Sequence, residues 1–371
     1  MKIEPFGVEM WMNEFETKCE LNLAETCVAS ITIEELLALA GRNSDDLSAL
    51  LPMKMTYGAI EGSARLRAAI AALYQGVEAE NIIVTHGTIG ANELVHKTLV
   101  SAGDLVVAIT PTYQQHYSIP ESLGADVRRL KLREEDGFQP DLDELRRLTA
   151  DGVKLIAFAN PNNPTGALMD RATLEEVAEI ARAAGAWVLG DEVYRGTEQS
   201  GRSAPSIADV YERGISTASV SKAFSLAGLR LGWIAGPKEV AEAVMIHRDY
   251  NTISVGMLDD HFATIALENA DRILARSRKL VRENLAVLAA WVEGEPAIHW
   301  VKPEAGTTAL LRYDLDMSSR EFCVALLRET GVMFTPGSAL DMEGYARIGY
   351  AQAPEVLAAG LKKVSGWLAG R

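Results

Sequence analysis

A single lysine stands out in the stretch Ser219–Arg230, which runs Ser-Val-Ser-Lys-Ala-Phe-Ser-Leu-Ala-Gly-Leu-Arg between two short apolar runs. A lysine that forms a Schiff base with an aldehyde cofactor needs an amine of lowered pKa, held beside hydroxyl groups and a cation that bind an anion. Lys222 fits this pattern. It also fits a solvated lysine on a turn, so the surrounding motifs must decide between the two interpretations.

Four further features carry groups suited to such a site. The loop Asn160-Pro-Asn-Asn-Pro-Thr-Gly166 has two prolines that stiffen the backbone carrying its Asn side chains. Gly190-Asp-Glu-Val-Tyr194 places an acid at a strand end, with a phenol shortly after it. Gly87-Thr-Ile-Gly90 opens a helix, where free N–H groups and the helix dipole favour phosphate. Ser219 and Arg230 flank the lysine and would complete a phosphate site. Each feature alone also fits an ordinary loop, turn or helix cap.

Short β-type runs alternate with helical runs from about residue 55 onward. The sequence predicts strands at 82–85, 105–109, 127–132, 154–159, 187–189 and 215–220. It predicts helices at 62–75, 88–100, 141–148, 170–184 and 238–247. This alternation predicts an α/β fold: a large domain whose mainly parallel sheet is covered by helices on both faces, plus a smaller α+β domain. Ligands of such sheets bind at the carboxyl ends of the strands, where the candidate residues fall.

The rest of the chain is expected to build the smaller domain. Residues 258–291 are predicted as one long connecting helix, and 298–350 as short strands around a helix at 319–330. The first 45 residues are predicted to be an arm that docks elsewhere. We therefore predict a large domain of 46–255, and a small domain formed by 1–45 together with 256–371.

Composition narrows the class of protein. The 371 residues are 48% hydrophobic and 23% charged, as in ordinary soluble proteins. A net charge of −15 disfavours nucleic acid as a partner. The three cysteines and six histidines show neither a disulfide framework nor metal-ligand spacing, so no metal is predicted. No signal-peptide pattern is seen, and no apolar run approaches the ~18 residues of a membrane span. We expect a cytoplasmic protein without a membrane partner.

Together these motifs resemble the class I/II aminotransferases of fold type I, which depend on pyridoxal 5′-phosphate (PLP). The match runs from about Tyr57 to Arg347, and N-P-N-N-P-T-G, D-E-V-Y and S-x-S-K with an arginine eight residues on occur in the family's order. The resemblance implies an aminotransferase that moves an amino group from an amino acid to a 2-oxo acid. Two alternatives stay open. One is a PLP-dependent lyase or cyclase acting by elimination, replacement or ring closure, and the other is a PLP-binding regulator without turnover.

The resemblance also implies roles for particular residues. Lys222 would form the Schiff base and move the substrate proton, and Asp191 would pair with the ring nitrogen. Tyr194 and Asn163 would hydrogen-bond the ring oxygen, and Tyr113 would stack on the ring.

Binding of the phosphate and the substrate completes the implied site. The phosphate would be held by Gly87, Thr88, Ile89, Ser219 and Arg230. Tyr57 is similar to the tyrosine that reaches the neighbouring subunit's phosphate, which implies a homodimer with shared active sites. Arg347, with Asn163 beside it, would bind the substrate, with the arginine on the α-carboxylate.

One N-terminal segment departs from the family pattern. Leu23-Ala-Glu-Thr-Cys-Val28 stands where most relatives carry a Gly/Pro-containing segment that touches the substrate carboxylate. The opening of the chain resembles the branch that cyclises hydroxylated arginine derivatives. Glu25 would favour a cationic or polar substrate side chain if it enters the pocket; alternatively it is structural or solvent-facing. The amino donor, the oxo-acid acceptor and the roles of His86 and His116 are left open.

Overall fold

The computed structural model describes residues 2–371. Its strands are β1 (Leu21–Asn22), β2 (Ile82–Thr85), β3 (Leu105–Thr110), β4 (Asp126–Lys131), β5 (Leu155–Ala159), β6 (Trp187–Asp191), β7 (Gly214–Ser219), β8 (Gly232–Ala235), β9 (Ile298–His299), β10 (Thr308–Tyr313), β11 (Val332–Met333), β12 (Thr335–Pro336) and β13 (Tyr345–Gly349). Its helices are α1 (Gly7–Phe15), α2 (Ile33–Leu39), α3 (Asp45–Ser48), α4 (Ala64–Ala71), α5 (Gly87–Leu99), α6 (Gln115–Ser122), α7 (Leu142–Thr149), α8 (Arg171–Ala184), α9 (Ile207–Val210), α10 (Lys238–Arg248), α11 (Met257–Glu268), α12 (Ala270–Gly294), α13 (Ser319–Thr330) and α14 (Pro354–Leu368).

A seven-stranded sheet forms the centre of the molecule, in the order β2-β8-β7-β6-β5-β3-β4. The neighbours from β7 to β4 are all parallel, and β8 runs antiparallel to both β7 and β2. Helices cover both faces. Along β5, Leu155 and Ala157 pack with α5 and α10, whereas Ile156 and Phe158 pack with α7 and α8. The apolar run of this strand is continuous because both of its faces are buried. The predicted mainly parallel α/β sheet is confirmed.

Local sequence signals set the bounds of the flanking helices. The Asp170 carboxylate accepts the N–H of Thr173 at 2.8 Å and caps α8, which ends where Gly185 takes φ +69°. Ser318 and Glu321 cap the start of α13 reciprocally. Such caps satisfy backbone groups that a helix end leaves unpaired, so the predicted bounds of these helices agree closely with the observed ones.

A smaller antiparallel sheet, in the order β12-β13-β10-β9, packs against α12, α13 and α14. The N-terminal arm joins this layer, because β1 pairs in parallel with β11 and Trp11 and Leu23 enter the same apolar cluster. A side chain at Gly349 would collide with the Glu25 carbonyl oxygen, and one at Gly360 with Leu23. These two glycines therefore let residues 23–25 lie directly against the smaller sheet.

One predicted element is wrong. Residues 258–291 form two helices rather than one, with the break at Asn269. The Asn269 side chain donates to the Ile265 carbonyl at 2.9 Å, and the backbone leaves helical geometry at φ −117°, ψ 28°. An Asn side chain competes with the backbone for hydrogen bonds in this way, so it can end a helix inside an apolar pattern.

Across residues 2–371, no helix has both the length and the apolar character needed to cross a membrane.

Candidate active site

The carboxyl ends of β5, β6 and β7 open into one cavity of about 340 Å³. Ala159, Asp191 and Ser219, the last residues of these strands, are among its lining residues. The predicted site residues that line it are Thr88, Ile89, Tyr113, Asn163, Asp191, Tyr194, Ser219, Lys222, Arg230 and Arg347. Gly87 starts the helix beside it. Tyr57 does not line the cavity of its own chain. Parallel strand ends thus bring together side chains that are far apart in sequence.

Lys222 lies against the N-terminal segment. Its Nζ donates to Thr26 Oγ1 at 2.7 Å and to Cys27 Sγ at 3.4 Å, and lies 3.9 Å from a Glu25 carboxylate oxygen. Burial opposes the ammonium form, but Tyr194, Cys27 and Glu25 outweigh it and hold the pKa of Lys222 above its ordinary value. The expected lowered pKa is therefore wrong for the protein alone: the amine must lose a proton before it attacks an aldehyde.

Glu25 is the anion that faces this amine at neutral pH. Burial would raise the pKa of Glu25, but Lys222 and the backbone N–H groups of Cys27 and Thr26 outweigh burial and lower it. One Glu25 oxygen accepts the N–H of Thr26 at 2.6 Å and the N–H of Cys27 at 2.9 Å. Burial raises the pKa of the Cys27 thiol to about 11, and burial also raises the pKa of Tyr194. Both are neutral near pH 7, so of these three groups Glu25 supplies the charge beside Lys222 there, and Tyr194 and Cys27 add their attraction only where they ionise.

Asp191 is held by a buried polar network. Its Oδ2 accepts from Asn92 Nδ2 at 2.9 Å and lies 3.6 Å from His116 Nε2, while its Oδ1 accepts the N–H of Val193 at 3.2 Å. His116 contacts His96 at 3.4 Å through ring nitrogens. Burial, followed by His116, lowers the pKa of His96 well below its usual range. A carboxylate fixed in this way can hold a cationic ring nitrogen in place.

Arg347 and Asn163 also line the cavity and contact each other. Arg347 Nη1 donates to Asn163 Oδ1 at 3.1 Å, and Nη2 donates to the Ala24 carbonyl and to Thr335 Oγ1, each at 3.2 Å. The arginine is only 2% exposed, and within residues 2–371 its Nε has no hydrogen-bond partner. A buried guanidinium with a spare donor is suited to binding a carboxylate.

The start of α5 forms an anion site. Gly87 takes φ +68°, and His86, the residue before it, gives no side-chain cap to the first N–H groups. A Cβ at Gly87 would lie 3.1 Å from Arg230 Nη2, which places the arginine beside this helix end. Thr88 Oγ1 is buried and lacks a hydrogen-bond partner in the described part of the chain. Ser219 lines the cavity on the same side. Free donors and a cation at a helix N-terminus favour a phosphate.

Tyr113 and Tyr57 differ in placement. Tyr113 lines the cavity, packs on Phe6 with ring centroids 4.7 Å apart, and donates from its hydroxyl to Glu9 Oε1 at 3.0 Å. Tyr57 lies in the loop before α4 and is 78% exposed.

The sequence motifs did not indicate several of the residues that line this cavity. Asn92 and Thr26 belong to none of the quoted motifs as site residues, and Glu9 and Glu16 come from α1 and the turn after it. Glutamates spaced along an amphipathic helix look like ordinary solvent-facing residues, so no local signal separates them from a surface stripe.

Comparison with known proteins identifies the family. The model of the family described as aminotransferase class I and II matches residues 42–363. This chain belongs to that family. A relative is capreomycidine synthase of Streptomyces vinaceus, 30% identical over 96% of this chain and 92% of the relative. Other curated relatives are named as aminotransferases, with identities of 25–30%.

Solved structures agree with the family assignment. A PLP-dependent aminotransferase from Streptococcus suis 89-1591 has a TM-score of 0.97 and 43% identity, covering 100% of this chain and 99% of that chain. The PLP-dependent cyclase OrfR has a TM-score of 0.92 and 28% identity, covering 100% and 98%. The predicted family and fold type are confirmed. The protein is a PLP-dependent enzyme, and its cofactor is PLP.

The residues present fit this cofactor. The partnerless Thr88 hydroxyl, the left-handed Gly87 and the adjacent Arg230 form a cradle that a larger residue at position 87 would fill. The buried Asp191 carboxylate and the Lys222 amine line the same cavity. Each chemical group of PLP thus has a side chain of matching chemistry.

Proposed function

We propose that this aminotransferase-family enzyme moves an amino group from an amino acid to a 2-oxo acid, with Lys222 as the attachment point of PLP. The observation that carries the proposal is the joint presence, in one cavity, of the Lys222 amine, the Asp191 carboxylate and the Arg347 guanidinium. Aminotransferases among the relatives of this chain support it.

Bound PLP supplies an electron-withdrawing ring that makes the Cα–H bond of an attached amino acid acidic. Arg347 binds the substrate α-carboxylate in this proposal, with Asn163 fixing the guanidinium. Lys222 takes the α-proton of the substrate at its Nζ and later returns it to a different atom. Thr26 and Glu25 hold the amine between these events.

Asp191 would pair with the protonated ring nitrogen, because Asn92 and His116 fix its carboxylate in a buried site. Tyr194 and Asn163 would hydrogen-bond the ring oxygen, and Tyr113 would cover the ring. The phosphate would be held by Gly87, Thr88, Ile89, Ser219 and Arg230.

We also propose a homodimer with shared sites, in which Tyr57 serves the neighbouring subunit's phosphate. Leu51 and Met55, shortly before it in the chain, are large apolar side chains that are also exposed, as is Tyr250 after α10. Arg248 is fully buried, with two guanidinium nitrogens lacking partners among the residues described. The cytoplasm is the proposed compartment.

The division into domains of 46–255 and of 1–45 with 256–371 is likewise a proposal. The seven-stranded sheet falls in the first and the four-stranded sheet in the second. Phe262 and Leu274, which lie beyond residue 255, also pack in one cluster with Trp233 of β8.

A cyclase or lyase is the second candidate. The relatives capreomycidine synthase and the PLP-dependent cyclase OrfR favour it. It uses the same residues up to removal of the α-proton, after which a leaving group departs or a ring closes on the substrate.

The test adds single amino acids to the PLP-loaded enzyme, then pyruvate or 2-oxoglutarate, and follows products by mass spectrometry. Transamination converts the donor into its oxo acid and the acceptor into an amino acid. Ammonia or another leaving group, released without any need for an acceptor, would favour the second candidate. If wild type and Lys222→Ala bind PLP alike and neither converts any amino acid, both proposals are wrong.

A further inference from the structure

Helix α1 and the turn after it present two carboxylates to the active-site cavity. Glu9 and Glu16 line the cavity together with Met12. Their spacing of three and four residues places all three on one helical face. Trp11 fixes the helix, because it is buried and donates from Nε1 to the Phe334 carbonyl at 2.9 Å. The carboxylate face is therefore held in one orientation.

These carboxylates have no cationic partner in the part of the chain that the structure describes. Among residues 2–371, no nitrogen of a lysine, arginine or histidine lies within the 4.0 Å ion-pair distance of Glu9 or Glu16. Within the described residues, the Glu9 carboxylate accepts one side-chain hydrogen bond, from the Tyr113 hydroxyl at 3.0 Å. Burial, followed by repulsion from Glu25 and Glu9, raises the pKa of Glu16. The carboxylates of Glu9, Glu16 and Glu25 thus all line the same cavity.

Arg347 fixes where the carboxylate end of a substrate would bind, and this limits where its side chain can lie. Its buried guanidinium keeps a partnerless Nε, counted over the described residues, which suits the α-carboxylate of an amino acid. Lys222, which takes the amino end in the proposed function, lines the same cavity. Glu9 and Glu16, from α1 and the turn after it, belong to the part of the lining that neither end of the amino acid uses.

We propose that Glu9 and Glu16 form the side-chain subsite and that the amino donor carries a cationic side chain, with a guanidinium favoured. The inference rests on the proposed function, since it assumes that an amino acid binds between Lys222 and Arg347. A guanidinium has five donors in a planar fork and can reach more than one carboxylate at once. A dicarboxylic amino acid would instead meet repulsion from both glutamates.

The test compares L-arginine with L-citrulline, a neutral side chain of nearly the same shape, and with L-aspartate. Two quantities are measured on the PLP-loaded enzyme: the amino acid concentration that gives half of the absorbance change of the bound cofactor, and the rate of product formation. In wild type we expect arginine, compared with citrulline, to need a half-saturating concentration that is lower by about tenfold or more. We expect its rate of product formation to be about tenfold higher or more. Glu9→Gln and Glu16→Gln should each reduce this preference several-fold. Glu9→Gln keeps an acceptor for Tyr113 and removes only the charge.

Glu14→Gln on the same helix is the matched control, because Glu14 pairs with Arg320 outside the cavity. It should leave the arginine-to-citrulline ratio unchanged. Glu16→Lys should shift the preference toward aspartate if the folded protein retains its cofactor. If citrulline or aspartate reacts as well as arginine in wild type, the subsite is wrong and the proposed function stands. If no amino acid changes the cofactor absorbance or yields product, the proposed function itself fails.

Discussion

Lys222 makes its shortest polar contact with Thr26, a residue 196 positions away in sequence. This contact and the nearby Glu25 hold the amine protonated in the protein alone. If PLP attaches at Lys222, the amine must first release a proton, and Thr26, Cys27 and the Glu25 carboxylate are the groups around it. At the scale of single residues, the N-terminal segment provides the polar surroundings of Lys222.

Replacing Lys222 by alanine should remove both the covalent link to PLP and the proton transfer. We expect turnover to fall by about 10²–10⁴-fold or more. Borohydride treatment followed by peptide mass spectrometry should find PLP on Lys222 in wild type and on no peptide of the variant. Lys238→Ala, whose side chain is highly exposed, is the control and should behave as wild type. Cofactor trapped at another lysine would contradict the assignment.

Glu25→Gln should lower the stability of the cofactor-free protein in a pH-dependent way. The folded pKa of Glu25 is lowered, so its contribution is present above the unfolded value near ~4.3 and is lost as pH falls through the folded pKa. The folded pKa of Lys222 is raised, so its contribution is present below its unfolded value and is lost as pH rises through the folded one. The partial exposure of Glu25 limits the effect to about 1 kcal/mol.

Urea unfolding of wild type and Glu25→Gln at neutral pH and below pH ~4 measures this contribution. The two curves should differ at neutral pH and converge in acid. Glu4→Gln in the exposed N-terminal stretch serves as the control. A constant difference at all pH values would show that Glu25 acts through packing rather than through charge.

Helix α1 is the element that links the two sheets at the cavity. Its first N–H is accepted by Gln114 at 2.7 Å, and Trp11 donates to Phe334 of the smaller layer. A side chain at Gly7 would press on the Ala339 carbonyl at 3.0 Å. The helix is thus fixed on both sides, and its acidic face becomes a wall of the active site instead of a solvent-facing stripe.

Trp11→Ala should destabilise the protein by about 3–5 kcal/mol, because it removes a large, 1% exposed side chain and leaves a cavity. Met10→Ala, one residue earlier and 57% exposed, should change the stability by no more than about 0.5 kcal/mol. The free energy of unfolding in urea measures both. Equal effects of the two substitutions would mean that α1 is not anchored through Trp11.

At the scale of the whole molecule, Tyr57 lies outside the cavity of its own chain, as expected if it serves a neighbouring subunit. Mixing Lys222→Ala and Tyr57→Ala proteins tests this. Random exchange makes about half of the dimers mixed, each with one complete site, so activity should recover to roughly a quarter of wild type. Each protein alone, incubated in the same way, is the control. No recovery despite demonstrated subunit exchange would show that Tyr57 does not act across subunits.

The sequence by itself determined the fold class and the family, and most of the candidate site residues that it predicted line one cavity. The alternation of strands and helices is a local pattern, and Asp191, Ser219 and Lys222 stand at or just after strand ends, where a parallel sheet gathers its functional groups. The loop carrying Asn163 follows the same rule. Local spacing was sufficient to predict these residues because the topology of a parallel sheet brings the ends of its strands together.

The tertiary structure alone decided what faces those residues. The wall of Glu9 and Glu16 and the Thr26 contact of Lys222 depend on docking of the N-terminal arm, and no periodicity encodes such long-range contacts. The protonated state of Lys222 was missed for the same reason, since a pKa depends on burial and on neighbouring groups brought in by folding. The break at Asn269 was missed because a single side-chain hydrogen bond overrode a helical pattern.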